Sequence, residues 1–197
     1  RLKAINGHSL HLDPRLLSRK LTLEDENFLN GLGPVIHGTI VKDHYWKFRD
    51  IMDEGLLPGG GTVAPGGMNT RQAVHFSTYR GTMQPGGSGC RDNCDMFIVL
   101  DCKLFLQEGK ELYYTTNGVV MSYEGVPPRY WHTVVLGKQQ HPHWVYINAP
   151  NHGPYVTDED KKFYGWIHYL VDEYNWIPYH GETQCQDDFP DLRSPIP

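Results

Sequence analysis

The sequence predicts an α+β fold, on three observations. Short apolar runs of strand length recur along the chain, only two or three stretches carry helical periodicity, and Gly and Pro together fill 35 of 197 positions. Breakers at that density interrupt helices early, while short strands fit between them. With 39% hydrophobic and 21% charged residues the chain reads as globular, long enough for a single core.

Taken in order, residues 1–12 alternate like a strand and turn at Asn6-Gly7. Residues 13–29 place Pro14 near a helix start, with Thr22 and Asp25 at capping-box spacing. After Gly33-Pro34, residues 35–40 read as a strand. From Asp43 the apolar positions Tyr45, Trp46, Phe48, Ile51 and Met52 fall at helical spacing, with Gly55 as the stop. Residues 58–67 are too rich in Gly and Pro for regular structure and make a long loop.

Residues 73–78 alternate as a strand, and a second Gly-rich loop follows over 79–95. Residues 96–100 are continuously apolar, a buried strand, and 102–107 make a helical turn. Strands over 112–115 and 119–123 flank Asn117-Gly118, which predicts a type I′ hairpin turn. Residues 131–136 form a further strand. Beyond Gly137 the texture shifts to His, Pro, Asn and aromatics, with one helical stretch near 158–174 and a polar, Pro-rich tail from Pro178. Two units follow: residues 1–136, and an extension over 137–197 packed on them.

Eighteen basic against 23 acidic residues give a net charge of −5, so contact with nucleic acid requires a local patch rather than a global basic field. No apolar run has the length of a membrane span. The chain opens at Arg1 rather than Met and carries no signal-peptide pattern, so a segment upstream is expected. Among four cysteines, Cys90 and Cys94 form C-x3-C without nearby companions to complete a zinc site. Free thiols are the leading reading, a disulfide the alternative, and a cytoplasmic or nuclear location follows. His141 and His143 could ligate a metal, but no carboxylate or Cys lies nearby; they read as surface histidines and no metal is expected.

Three of the eleven histidines have informative company. His8 stands in Gly7-His8-Ser9, His37 in His37-Gly38-Thr39 at a strand end, and His75 in mid-strand before Ser77. A His followed by Gly leaves backbone groups that a flat ligand can approach closely. Two such strands joined through a Gly-rich loop suggest the floor of a cleft. A lone strand histidine is more often structural, so the case rests on the grouping.

These pieces occur in a particular order: Gly7-His8-Ser9, His37-Gly38-Thr39, Arg71 to Ser77, Asn117-Gly118-Val119, and Val126-Pro127-Pro128-Arg129-Tyr130. Over residues 1–136 this order resembles the NAD-dependent RNA (tRNA) 2′-phosphotransferase family. The likeness is to that family's ADP-ribosyltransferase-fold lobe, without its N-terminal winged helix. The resemblance implies split antiparallel sheets flanked by short helices, NAD as co-substrate, no metal, a phosphorylated RNA acceptor and a monomer. It implies that an RNA 2′-phosphate moves onto ADP-ribose as nicotinamide leaves.

By the same resemblance, His37 meets the adenosine ribose of NAD and the Gly38 backbone holds the nicotinamide amide. His75 and Ser77 flank the nicotinamide ribose, and Val119 takes the third position of the family's His-His-apolar signature. His8, Ser9, Thr39, Asn117 and Gly118 complete the cofactor-binding set. Arg71, Lys3 and His75 are the catalytic set, with Arg71 as the bidentate holder of the reacting phosphate. A phosphate nucleophile is already anionic near neutrality and needs no general base, so an apolar Val119 is compatible with the chemistry. Lys3 stands where the family carries Arg, and Asn6 where it carries Gln. The other readings are an ADP-ribosyltransferase acting on protein or a small molecule, and a non-catalytic NAD- or ADP-ribose-binding module. Aromatic residues of the extension, such as Trp144 and Trp166, read as cover for the transferase unit or as base-stacking surface.

Overall fold

The computed structural model describes residues 14–60, 72–78, 93–138, 141–145, 155–156 and 177–178. The strand and turn expected within residues 1–12, positions 79–92 of the loop expected over 79–95, and the helix near 158–174 lie outside them.

Eight strands form one antiparallel sheet: β1 (Ser18–Leu21), β2 (Val35–Thr39), β3 (Val74–Thr78), β4 (Met96–Leu100), β5 (Leu112–Thr115), β6 (Val119–Ser122), β7 (Trp131–Lys138) and β8 (His141–Val145). Their spatial order is β1-β5-β6-β3-β2-β4-β7-β8. A separate two-stranded parallel pair joins β9 (Tyr155–Val156) and β10 (Ile177–Pro178). Among the described residues three α-helices accompany the sheet: α1 (Glu26–Leu32), α2 (Tyr45–Glu54) and α3 (Cys102–Gln107). The class is α+β, as the pattern predicted.

The core follows from strand alternation. Val35, Val74, Phe76, Ile98, Val120 and Val134 are all buried in one cluster, against which Phe48 of α2 and Phe105 of α3 pack. All five residues of β4 are buried, as expected of a central strand covered on both faces. A smaller cluster on the opposite face joins Ala73, Tyr113, Val119 and Met121.

Four sequence expectations need correction. Residues 13–29 are not one helical stretch. A 3-10 turn (Pro14–Leu17), the edge strand β1 and a second 3-10 turn (Leu23–Asp25) precede α1. Thr22 and Asp25 do engage: the Thr22 N–H donates to Asp25 Oδ2 at 2.9 Å. Asn117-Gly118 is not the centre of a two-residue turn. Strands β5 and β6 are joined by three residues, the Gly118 N–H donates to the Thr115 carbonyl at 3.1 Å, and Gly118 sits at φ 83°. This is the longer hairpin class, in which a left-handed glycine closes the loop. The strand over 131–136 continues to Lys138. Beyond it, β8 extends the sheet, with Pro142 opposite Gly137. Proline fits there because β8 is an edge strand.

At the centre the sheet parts. β2 and β3 pair only at Val35 with Thr78 and Ile36 with Ser77. The rest of β2 pairs outward with β4, and the rest of β3 outward with β6. The expected split therefore takes the form of a seam, closed at one end and open at the other.

Candidate functional site in the central seam

The open end of the seam is bounded by His37, Gly38 and Thr39 on β2 and by Val74, His75 and Phe76 on β3. Both histidines are half-buried. His37 Nδ1 lies 2.9 Å from the His75 carbonyl oxygen, so the imidazole crosses the gap the ladder leaves. A carbonyl only accepts, so Nδ1 carries the proton, and in the neutral ring Nε2 is the acceptor. The His75 ring is fixed in the same sense, with Nδ1 donating to the Ala73 carbonyl at 3.0 Å. Two imidazoles whose Nε2 atoms accept are suited to the hydroxyl donors of sugars. The His37 ring also meets Phe76 edge-on, with centroids 6.0 Å apart and planes at 71°.

Backbone direction follows from the same contacts. The His75 carbonyl points toward β2, while the Thr39 carbonyl points toward β4, where it accepts from the Asp95 N–H at 3.0 Å. Groups of successive residues alternate sides along a strand. Gly38 therefore turns its N–H and C=O toward the gap. That edge, without a side chain, presents the donor and acceptor that a primary amide requires.

Behind the seam runs a row of side chains on one sheet face, because residues directly opposite in an antiparallel ladder share a face. Ile36 is opposite Ser77, and Ser77 opposite Val119. Ser77 and Val119 are fully buried. The β5–β6 loop is fastened to this row: the Thr78 hydroxyl donates to the Gly118 carbonyl at 2.9 Å. Thr115 Oγ1 bonds the Asn117 side chain, and the Val119 N–H donates to that same hydroxyl at 3.0 Å. Thus His37, Gly38, Thr39, His75, Ser77, Asn117, Gly118 and Val119 lie on adjoining strands or the loop between them. Lys3, His8, Ser9 and Arg71 lie outside the described residues.

One buried group was missed by sequence reasoning. The Asp95 carboxylate accepts from the Val41 N–H at 2.7 Å and the Lys42 N–H at 2.9 Å. It thereby holds the chain just past Thr39, where Lys47 of α2 also donates to the Ile40 carbonyl at 3.0 Å. Burial pushes its pKa up, opposed by the two backbone bonds and the Lys47 charge. Its one sequence signal was an acid placed directly before an apolar strand.

Neither Cys94 nor Cys102 is in a disulfide; Cys102 is half-buried, and desolvation of its thiol pushes the pKa up to about 12. Among the described residues, no helix is long and apolar enough to cross a membrane, and no three His, Cys, Asp or Glu residues cluster as metal ligands do.

Residues 1–124 match the model of a single protein family, described as RNA 2′-phosphotransferase, Tpt1 / KptA family. The chain belongs to this family. The match takes in β2, β3, the β5–β6 loop and β6. No curated protein matches the chain. Membership in the Tpt1 / KptA family makes the activity a transferase one, directed at an RNA 2′-phosphate.

Proposed function

We propose that the chain moves an RNA 2′-phosphate onto ADP-ribose drawn from NAD, with release of nicotinamide. The observation that carries this reading is the seam: two histidines fixed with Nε2 as acceptor, beside a glycine edge facing the gap. Nε2 of His37 accepts from the adenosine ribose, and the Gly38 N–H and C=O hold the nicotinamide amide. His75 and Ser77 stand beside the nicotinamide ribose, where the glycosidic bond breaks. A phosphate oxygen forms the new bond to that ribose carbon, and the glycosidic bond's electrons leave with nicotinamide. The 2″-hydroxyl of the same ribose then attacks the phosphorus, and the RNA 2′-oxygen leaves, taking up a proton to become the free RNA hydroxyl. The donor set fits NAD as co-substrate, since the hydroxyl and amide groups each meet a partner of opposite hydrogen-bonding sense.

Arg71 is the holder of the reacting phosphate, and Lys3 adds a point charge without a planar fork. Residues 1–136 form the transferase unit, and the extension over 137–197 adds β8 to the edge of its sheet. Because Lys3 stands where the family carries Arg, a protein or small-molecule acceptor is the second reading.

The test is incubation with NAD and a 2′-phosphorylated RNA, with products resolved by mass spectrometry. ADP-ribose 1″,2″-cyclic phosphate and dephosphorylated RNA are expected. Arg71→Ala should abolish turnover while leaving NAD affinity nearly unchanged. Lys3→Arg should hold or raise the rate. Release of nicotinamide without phosphate transfer, together with modified protein, would move the assignment to the second reading.

A further inference from the structure

Where β2 leaves the seam, the chain enters a clamp built on one buried acid and one lysine. Beyond Ile36 the backbone of β2 pairs with β4 and not with β3. The end of that ladder is held by Asp95, which is 3% exposed. The Asp95 N–H donates to the Thr39 carbonyl at 3.0 Å. Its carboxylate accepts from the Val41 N–H through Oδ1 at 2.7 Å and from the Lys42 N–H through Oδ2 at 2.9 Å. Between them, Lys47 Nζ donates to the Ile40 carbonyl at 3.0 Å. Each residue from Thr39 to Lys42 is thus gripped through a main-chain group.

Burying a carboxylate costs desolvation that an apolar side chain would not incur. What this one adds is direction, because it fixes the orientation of the backbone groups as well as their place. Gly38 lies one residue from the clamp. A hydrogen bond weakens steeply outside a narrow range of distance and angle. The Gly38 edge therefore meets a ligand amide well only if β2 is held where it leaves the sheet. His37 has an anchor of its own, with Nδ1 on the His75 carbonyl at 2.9 Å, next to the Ile36–Ser77 pair.

We propose that Asp95 and Lys47 are positioning residues for the nicotinamide end of NAD, acting through the Gly38 edge. The inference rests on the reading that Gly38 holds the nicotinamide amide and His37 the adenosine ribose. Loss of the clamp then loosens one end of the cofactor and spares the other.

The test is calorimetry with NAD and with ADP-ribose, which lacks the nicotinamide amide, in the absence of RNA. Asp95→Asn and Lys47→Met should each weaken NAD binding about tenfold, the scale of one or two hydrogen bonds, and ADP-ribose binding less than about threefold. The double variant should lose little more than either single one, because both side chains act on one segment. Lys47→Arg keeps a donor for the Ile40 carbonyl and should retain the parent's ratio of the two affinities. Gly109→Ala is the control for general destabilisation, since Gly109 has φ 77° and a Cβ there would meet nothing within 4 Å. It should lower the melting temperature and leave the ratio unchanged. A fold that is merely weakened lowers the competent fraction for both ligands alike, so it cannot move the ratio. Lys47 is half-buried, and its Met variant carries the test should Asp95→Asn fail to fold. Unchanged NAD affinity, or an equal loss for both ligands, would overturn the clamp. A parent that binds neither ligand would instead overturn the reading of the seam on which the clamp rests.

Discussion

His37 Nδ1 and the carbonyl oxygen of His75 are 2.9 Å apart, although 38 residues separate them in sequence. This contact replaces the ladder bond expected at that point, and it fixes a tautomer as well as a spacing. The site and the fold thus share one hydrogen bond, and substitutions can separate the two roles.

Removing the ring in His37→Ala should weaken NAD binding by about 1–3 kcal/mol, the range for a lost partner at a buried polar group. His37→Asn separates the roles further, because the Asn amide can donate to the His75 carbonyl but offers no acceptor at the Nε2 position. Thermal melting of the Asn variant should approach the parent while calorimetry with NAD stays weak. Recovery of both would place the binding role elsewhere.

Much of the fold was legible because its signals are local. The run over 96–100 could only be a buried strand, and the spacing from Tyr45 to Met52 with Gly55 behind it could only be a helix and its stop. β1 was missed because Ser18-Arg19-Lys20-Leu21 has one apolar residue and becomes a strand only by pairing with β5, more than 90 residues on. β8 was missed because His-Pro-His reads as a turn, and only its position at the sheet edge makes a proline acceptable. Residue types in the seam were readable from their order. The tautomers, the opening of the ladder past Ile36 and the clamp at Asp95 depend on register between distant strands, which no local pattern carries.

Cys102, only partly buried, should react slowly in the folded protein because its thiol stays protonated. Burial holds its thiol near a pKa of about 12, so thiolate is negligible at neutral pH. Alkylation with an iodoacetamide label, read by peptide mass spectrometry, should be much slower at Cys102 in the folded protein than after denaturant is added. Rapid native labelling there would contradict the packing of α3 against the core.

Gly55 and Gly109 make a graded comparison. Both have positive φ, 87° and 77°. A Cβ on Gly55 would come 2.5 Å from the Val126 oxygen and 2.6 Å from the Pro127 Cα, whereas one on Gly109 would meet nothing within 4 Å. Gly109→Ala should cost only the backbone strain, about 1–2 kcal/mol. Gly55→Ala should cost more, because the clash is with backbone and breaks the Leu56–Val126 bridge, whose two hydrogen bonds are 3.0 and 2.8 Å. Denaturant melts of both variants check the order.

Asp95 gives a pH dependence whose sign can be worked out. Its pKa is raised in the folded state, chiefly by burial. The folded protein therefore binds this proton more readily than the unfolded chain does. Its contribution is fully present below the unfolded carboxylate value and is lost as pH rises through the folded one. Asp95→Asn removes that titration and leaves one side-chain oxygen where two accepted from Val41 and Lys42. The variant should be less stable at every pH, by about 1–3 kcal/mol for a buried donor left unmatched. The gap to the parent should be widest in acid and narrow as pH rises toward neutrality. Urea melts of both proteins across that window decide it. A gap that widens with pH would mean that the two backbone donors outweigh burial and that the folded carboxylate titrates below its usual range.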